Sequence, residues 1–289
     1  MAWIELEGAV NVRDLGGLPV SDGSVTATGR LIRSANLQTL SAADVKRLVS
    51  DIGVTTIVDL RSAGEVAAEG PAPLDSLAGV RREHHQVLAE LGAPAGEAPG
   101  SRHEQDDLRY PADPVCGRYL GYIENRPAAV VAALRAVAYS DGAAIVHCAA
   151  GKDRTGVVVA LALTAVGVRP EAVIADYAVT SEQVAVIVEQ LRRSPIYRDD
   201  LDRKTLDEHR ARPGTMAAFL EQVDMRHGGV LEWLAANGFT GRDLGRLQGK
   251  LLGQGQRNPG DLPASERLTP GFLQDPVILA QSGTEKLSR

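Results

Sequence analysis

Apolar residues along the chain fall into short, nearly unbroken runs separated by longer stretches at helical spacing. Val54-Thr-Thr-Ile-Val-Asp-Leu60 and Ala143-Ala-Ile-Val-His147 are short and almost continuously apolar, the pattern of strands buried on both faces. Arg30-Leu-Ile-Arg-Ser34 is a further candidate strand, and residues 80–88 a weaker one. Helical patterns lie between them. Ser41-Ala-Ala-Asp44 reads as a helix start running to about Ser50, before Gly53. Asn125 reads as an N-cap with Pro127 in the first turn and Val130, Leu134 and Val137 on one face. Arg154 to Val166 reads as a strongly apolar helix. Strands alternating with helices predict βαβ units, hence an α/β fold with a mostly parallel central sheet flanked by helices.

Beyond Gly167 the pattern turns wholly helical. Pro170 opens one helix, and Thr180-Ser-Glu-Gln183 reads as a capping box for the next, with Val184, Ile187, Val188 and Leu191 in a stripe. A mixed-charge stretch runs from Arg192 to Arg212. Met216, Phe219, Leu220 and Val223 mark another helix, and Thr240 caps a last one carrying Leu244, Leu247 and Leu251. The ordinary use of such stripes is core packing. Residues 92–114 carry little periodicity and read as a long mobile loop, and residues 254–289 as a poorly ordered tail. No repeat of fixed period is visible, which removes solenoids and propellers.

Composition narrows the classes. The chain has 289 residues, 44% of them apolar, enough for a core that needs no metal or disulfide staple. Its 31 Lys and Arg against 37 Asp and Glu give a net charge of −6, which argues against a dedicated nucleic-acid or polybasic membrane binder but leaves room for a local basic pocket. Two cysteines rule out a disulfide framework and fit a reducing compartment. The first residues lack the basic and apolar regions of a secretory signal, and no run approaches the ~18 apolar residues of a membrane span. The expectation is a cytoplasmic protein without integral membrane association; export by a route needing no N-terminal signal is left open.

The segment that carries chemistry is His147-Cys-Ala-Ala-Gly-Lys-Asp-Arg-Thr-Gly156, between an apolar strand and an apolar helix. A loop there ends in unpaired N–H groups at the positive end of a helix dipole, a ready-made anion site. Ala149, Ala150 and Gly151 are small enough for the backbone to wrap a tetrahedral anion, with Lys152, Asp153, Arg154 and Thr155 completing the cradle. Cys148 sits at the strand end, in surroundings that favour a nucleophilic thiolate. Arg154 returns over the cradle with a planar fork suited to two phosphoryl oxygens. Thr155 can donate its hydroxyl, and His147 reads as loop support by hydrogen bonding rather than as a base. A Walker A loop needs Ser or Thr after the Lys, whereas Asp153 follows Lys152. A sulfur transferase is a minor rival. The parts fit phosphoryl transfer to sulfur.

The run His147–Gly156 matches the Cys-x5-Arg loop of the protein tyrosine phosphatase superfamily, and it resembles the atypical bacterial tyrosine and phosphoinositide phosphatases of the protein-tyrosine phosphatase B type. Asn11-Val-Arg-Asp-Leu-Gly-Gly17, Arg30–Ser34, Asp59-Leu-Arg-Ser62, Asp176-Tyr-Ala-Val-Thr180 and Met216 to Leu252 extend the resemblance across residues 1–253. It implies a single phosphatase domain over 1–253 and a phosphocysteine intermediate formed without metal or cofactor. It also implies a helical lid after the phosphate-loop helix, with residues 181–228 as the candidate. Carried over, Cys148 attacks phosphorus, Arg154 holds the transition-state oxygens, and a carboxylic acid protonates the leaving oxygen. Asp153 is the first choice of acid. Asp59 is the second, with an Arg ion pair as its alternative use, and Asp106 and Asp107 are further candidates.

Lys152 reads either as a contact for additional phosphates or as neutralisation of a single one. Arg13, Arg33 and Arg61 read as rim cations or, more simply, as partners of Asp14 or Asp59. His84 and His85, adjacent on a strand, point to opposite faces and cannot share a metal. Cys116 reads as packing. The expected function is a cysteine-dependent phosphatase acting on phosphotyrosine in proteins or on phosphoinositides and releasing inorganic phosphate. A phosphatase of small nucleotide or sugar phosphates, and a phosphate-binding pseudoenzyme, are the alternatives.

Overall fold

The computed structural model describes residues 1–88 and 109–253. Most of the 92–114 stretch, with Asp106 and Asp107, and all of the 254–289 tail lie outside the described residues.

The strands are β1 (Ala2–Trp3), β2 (Arg13–Asp14), β3 (Leu31–Ser34), β4 (Val54–Asp59), β5 (Arg81–His84) and β6 (Ala143–His147), and among the described residues they form one sheet in the order β1-β2-β3-β6-β4-β5. β3, β6, β4 and β5 run parallel, and β2 and β1 continue the sheet antiparallel. β6 is central, and its five residues are all buried, as its unbroken apolar run requires. Alternation then divides the strand between two cores. Ala144 and Val146 face one cluster with Val58 and Leu31, while Ala143 and Ile145 face a second with Ile57 and Ile32.

The first face carries most of the helices: α3 (Pro114–Asn125), α4 (Pro127–Ala138), α5 (Asp153–Ala165), α6 (Pro170–Val179), α9 (Pro213–His227), α10 (Val230–Ala236) and α11 (Gly241–Leu252). α5 is buried on nearly every side, which explains its uniformly apolar sequence. α1 (Ala42–Lys46), which runs on into one wide π turn, lies on the second face with Leu48 buried. Ser41 accepts from Asp44 N at 3.2 Å while Asp44 accepts from Ser41 N at 3.0 Å, the reciprocal cap expected of that signature. α2 (Ala63–Glu69) follows β4, and α7 (Val184–Arg192) and α8 (Pro195–Asp202) come after α6.

Three local expectations change. α3 begins inside the stretch read as loop, because Asp113 caps it by accepting from Val115 N at 3.0 Å and Cys116 N at 3.2 Å. Asn125 therefore ends α3 rather than capping the next helix, and Arg126 is the junction before Pro127. Thr180 has helical dihedrals (φ −55°, ψ −26°), so Thr180–Gln183 continues α6 as a 3₁₀ turn and does not cap α7. Its hydroxyl accepts instead from Arg13 Nη2 at 3.0 Å. The charged stretch 192–212 holds α8 and a second 3₁₀ turn, Asp207–His209.

Because Ile145 is fully buried at the centre of the second core, Ile145→Ala is expected to cost about 2–5 kcal/mol. Urea denaturation checks this.

Candidate active site

The carboxyl ends of β3, β6 and β4 meet at one edge of the sheet, where ligands gather in open α/β folds. The chain leaves β6 at His147, whose carbonyl accepts from Leu60 N at 2.9 Å, and rounds Cys148–Lys152 into α5. The carbonyls of this loop are drawn outward one after another. Ala149 O accepts from Asn36 N at 2.9 Å, Ala150 O from Asn11 Nδ2 at 3.1 Å, and Gly151 O from Asn11 Nδ2 at 3.1 Å and Arg33 Nη2 at 2.7 Å. A trans peptide points its C=O and the following N–H in opposite directions. The N–H groups of Ala150, Gly151 and Lys152 therefore turn into the loop, toward the N-terminus of α5. Gly151 has φ +65°, and a Cβ there would lie 2.3 Å from Ser34 O, so only glycine closes this turn against β3.

Asp176 on α6 organises the outer side. It accepts from Arg13 Nε at 2.8 Å and from Arg33 Nη1, and its own carbonyl accepts from Arg13 Nη2 at 2.7 Å. Arg13 Nη1 also donates to Asn11 Oδ1, the side chain that holds Ala150 and Gly151. Arg13 and Arg33 are completely buried, and both serve Asp176 rather than Asp14 or Asp59. Asp14 instead accepts from Gly16 N and Gly29 N at 2.9 and 2.7 Å. Burial and the neighbouring Arg33 pull the Arg13 guanidinium down to about 10, still charged at neutral pH. Burial pushes the Asp176 carboxyl up, but Arg33 and Arg13 outweigh it and keep it ionised. Two buried cations share this one carboxylate, and Glu182 adds a further negative charge near Arg13.

Arg154 and Cys148 are both buried. The Arg154 fork is bidentate on Glu65, through Nη1 to Oε2 and Nη2 to Oε1 (2.8 Å), and Nη1 also reaches Leu60 O at 3.4 Å. Its Nε–H and second Nη2–H form another bidentate edge. Burial raises Glu65, but Arg154 outweighs it and holds the carboxyl at about 2. The sequence reading missed Glu65, although Ser62-Ala-Gly-Glu65 has capping-box spacing: Ser62 Oγ accepts from Glu65 N at 3.2 Å, and Glu65 Oε2 from Ser62 N at 2.7 Å. Thr155 is fully buried, and its hydroxyl makes no hydrogen bond among the described residues.

The two candidate acids differ sharply. Asp153, at the start of α5, accepts on Oδ1 from Lys152 Nζ and from Tyr119 Oη, each at 2.6 Å. Burial raises its pKa, but Lys152, Tyr119 and Arg118 outweigh burial and bring it to about 2. Asp59 is fully buried, with Arg61 Nε at 3.0 Å and Nη2 at 2.7 Å, Arg82 Nη2 at 2.7 Å, and His147 Nε2 at 3.8 Å. Burial opposes its ionisation, yet His147, Arg61 and Arg82 hold the carboxyl well below its usual range. Arg61 and Arg82 occupy Asp59, the ion-pair use given as its alternative.

His147 Nδ1 lies 3.2 Å from Cys148 O, and burial keeps the ring neutral, as suits loop support. Cys116 is buried in α3, with burial and Asp113 pushing its thiol up to about 12, consistent with packing.

α7 and α8 approach the loop through a third apolar cluster: Val184, Ile187, Val188, Leu191 and Leu201 pack with Ala149, and Ala150 and Tyr197 border them. Gln190 Nε2 reaches Gly8 O and Thr39 Oγ1, both at 3.2 Å, and Ser194 donates to Glu69. Met216, Phe219 and Val223 of α9 belong to the main core instead, so the 181–228 stretch is not one covering unit.

The model of the tyrosine phosphatase family matches residues 4–253. This chain belongs to the tyrosine phosphatase family. Over 282 residues it is 29% identical to the triple specificity protein phosphatase PtpB of Mycobacterium tuberculosis, covering 88% of this chain and all of that protein. It is 27% identical over 244 residues to a tyrosine-protein phosphatase of Nostoc commune, covering 81% of this chain and 78% of that one. Like its family, the chain is a cysteine-dependent hydrolase of phosphomonoesters. Among the described residues no helix is long and apolar enough to cross a membrane.

Two outcomes follow from the charges around the loop. Asp176→Asn takes the shared ion-pair partner from the buried Arg13 and Arg33 and is expected to cost about 3–5 kcal/mol in urea unfolding. Glu65 is held at about 2 against an ordinary 4.5. Its pairing therefore adds stability that is fully present above pH 4.5 and fades as pH falls toward 2. Thermal melting should show Glu65→Gln destabilised at neutral pH and converging on the parent near the acid end of that range.

Proposed function

We propose that Cys148 is the nucleophile, Arg154 the transition-state clamp and Asp153 the general acid of this phosphatase, with phosphotyrosine in proteins or phosphoinositides as substrates. The observation that carries the reading is the run of outward-pinned carbonyls at Ala149, Ala150 and Gly151, which aims successive N–H groups into the loop that holds Cys148. The sulfur attacks phosphorus along the line opposite the leaving oxygen. As the S–P bond forms the P–O bond breaks, and Asp153 passes a proton to the departing oxygen. The Asp153 carboxylate then takes a proton from water, whose oxygen attacks phosphorus. The S–P bond breaks, releasing inorganic phosphate and the thiolate. The loop amides and the free edge of Arg154 stabilise the equatorial oxygens in both steps. His147 supports the loop, and Thr155, whose hydroxyl has no other partner among the described residues, donates to the sulfur.

Asp153 is ionised beside Lys152, so a proton must join it when substrate binds. An arriving phosphate dianion supplies the reason: its charge disfavours a second anion nearby and draws the Lys152 ammonium toward itself. Lys152 beside Arg154 also suits substrates carrying a second phosphate, and the name of the mycobacterial relative, a triple specificity phosphatase, supports that breadth. α7 and α8, packed on Ala149 and Ala150, act as the lid that excludes water during chemistry. The cytoplasm suits this chemistry, since the nucleophile is a free thiol.

Hydrolysis of an aryl phosphate in the presence of a chelator tests the assignment. Cys148→Ser and vanadate should each abolish turnover, and Asp153→Asn should lower kcat by roughly a hundredfold on a poor leaving group. Turnover that survives Cys148→Ser overturns the reading. A panel of phosphopeptide, phosphoinositide vesicles and nucleotides then separates the substrates, and preference for nucleotides would move the assignment to a small-molecule phosphatase.

A further inference from the structure

Asp153 Oδ1 takes two hydrogen bonds, one from Lys152 and one from Tyr119, each at 2.6 Å. Tyr119 lies in α3 and is fully buried. Its ring stacks on Tyr122 at 5.9 Å and meets Tyr177 and Phe219 edge-on at 6.1 and 6.0 Å, so the hydroxyl has a fixed direction. Its oxygen lies 2.7 Å from the Tyr177 hydroxyl on α6. A carboxylate can only accept, so the Tyr119 proton goes to Asp153 and Tyr177 donates to Tyr119. The chain Tyr177→Tyr119→Asp153 therefore has one direction. It keeps that direction when Asp153 is protonated on Oδ2, because Oδ1 still accepts.

Tyr177 is fixed in turn. Its ring lies against Gly156, where a Cβ would come within 3.0 Å of it, and it follows Asp176 in sequence. Two consecutive residues of α6 thus hold neighbouring parts of the site, Asp176 reaching Ala150 and Gly151 through the arginines and Tyr177 reaching Asp153 through Tyr119. Packing alone does not ask for these hydroxyls, since Phe219 fills a neighbouring place in the same aromatic group without one. Burying two phenols beside an ionised carboxyl is worthwhile only where their hydrogen bonds are used.

We propose that Tyr119, backed by Tyr177, is a positioning residue that holds Asp153 Oδ1 and leaves Oδ2 to face the leaving oxygen of the substrate. The proposal rests on Asp153 as the general acid. The charged and titratable groups around Asp153 are Lys152, Arg154 and Cys148 of the loop and α5, Arg118, Tyr119 and Tyr122 of α3, and Tyr177 of α6. Removal of the Tyr119 hydroxyl takes away a donor to the carboxylate, so Asp153 becomes less acidic and keeps its proton to higher pH.

Steady-state kinetics of Tyr119→Phe, Tyr177→Phe and Asp153→Asn on two phosphomonoesters, nitrophenyl phosphate and phenyl phosphate, test this. Tyr119→Phe should lose about tenfold more kcat on the poor leaving group than on the good one, the scale of one charge-assisted hydrogen bond. The alkaline limb of its kcat profile should move to higher pH. Tyr177→Phe should move both readouts in the same direction by less. Equal losses on both substrates with an unmoved limb overturn the proposal and assign the tyrosines to packing. Should near-UV circular dichroism show Tyr119→Phe unfolded, the Tyr177→Phe profile decides by the same criteria. A leaving-group dependence that is strong in Asp153→Asn and absent in both tyrosine variants defeats the positioning role alone. Its absence from Asp153→Asn defeats the acid assignment and the proposal with it.

Discussion

Asp176 lies completely buried between two equally buried arginines, and through them its charge fixes the course of the loop around Cys148. Arg33 spans the distance from that carboxylate to Gly151 O, and Arg13 orients Asn11, which ties Ala150 and Gly151. A buried guanidinium without an anion is costly, and a buried carboxylate with two guanidinia cannot shed either partner cheaply. The loop therefore inherits its shape from a charge balance on its outer side. Two guanidinia share that carboxylate, with Glu182 adding a further negative charge near Arg13.

The same pairing recurs around the site. Arg154 rests on Glu65, Lys152 on Asp153, and Arg61 and Arg82 on Asp59. Their consequences differ with burial and with what remains free. Asp59 has both oxygens occupied and serves as an anchor for His147 and Arg61. Among the described residues Asp153 has donors on one oxygen only, and its partner Lys152 is a single ammonium rather than a fork. A phosphate dianion can compete for that partner, whereas the bidentate Arg154–Glu65 pair can stay intact and present its other edge.

The loop itself was readable in the chain because its functional groups are contiguous: Cys148 through Thr155 need only a strand before them and a helix after them to form an anion cradle. The strands β4 and β6 were equally plain, since burial on both faces demands unbroken apolar runs. Glu65, Tyr119 and Tyr177 were not, because their partners lie 89, 34 and 58 residues away in sequence and nothing local marks a pairing of that range. Arg13 and Arg33 drew attention as cations, but the carboxylates expected for them, Asp14 and Asp59, are not the ones they meet. Thr180 misled for a related reason. Its spacing suits a capping box, yet Arg13 claims its hydroxyl and the backbone carries on as helix.

Sequence alone determined the α/β class and the strand, loop and apolar helix around Cys148–Thr155, since periodicity and a short contiguous motif are local properties of a chain. Only the tertiary structure decided which carboxylate each cation would meet, that Asp59 takes arginines on both oxygens while Asp153 has donors on Oδ1 alone among the described residues, and that α9 joins the core while α7 and α8 reach the loop. Those outcomes depend on long-range contacts and on the desolvation of charges. Both exist only once β2, β3, α2, α3 and α6 have closed around the carboxyl end of β6.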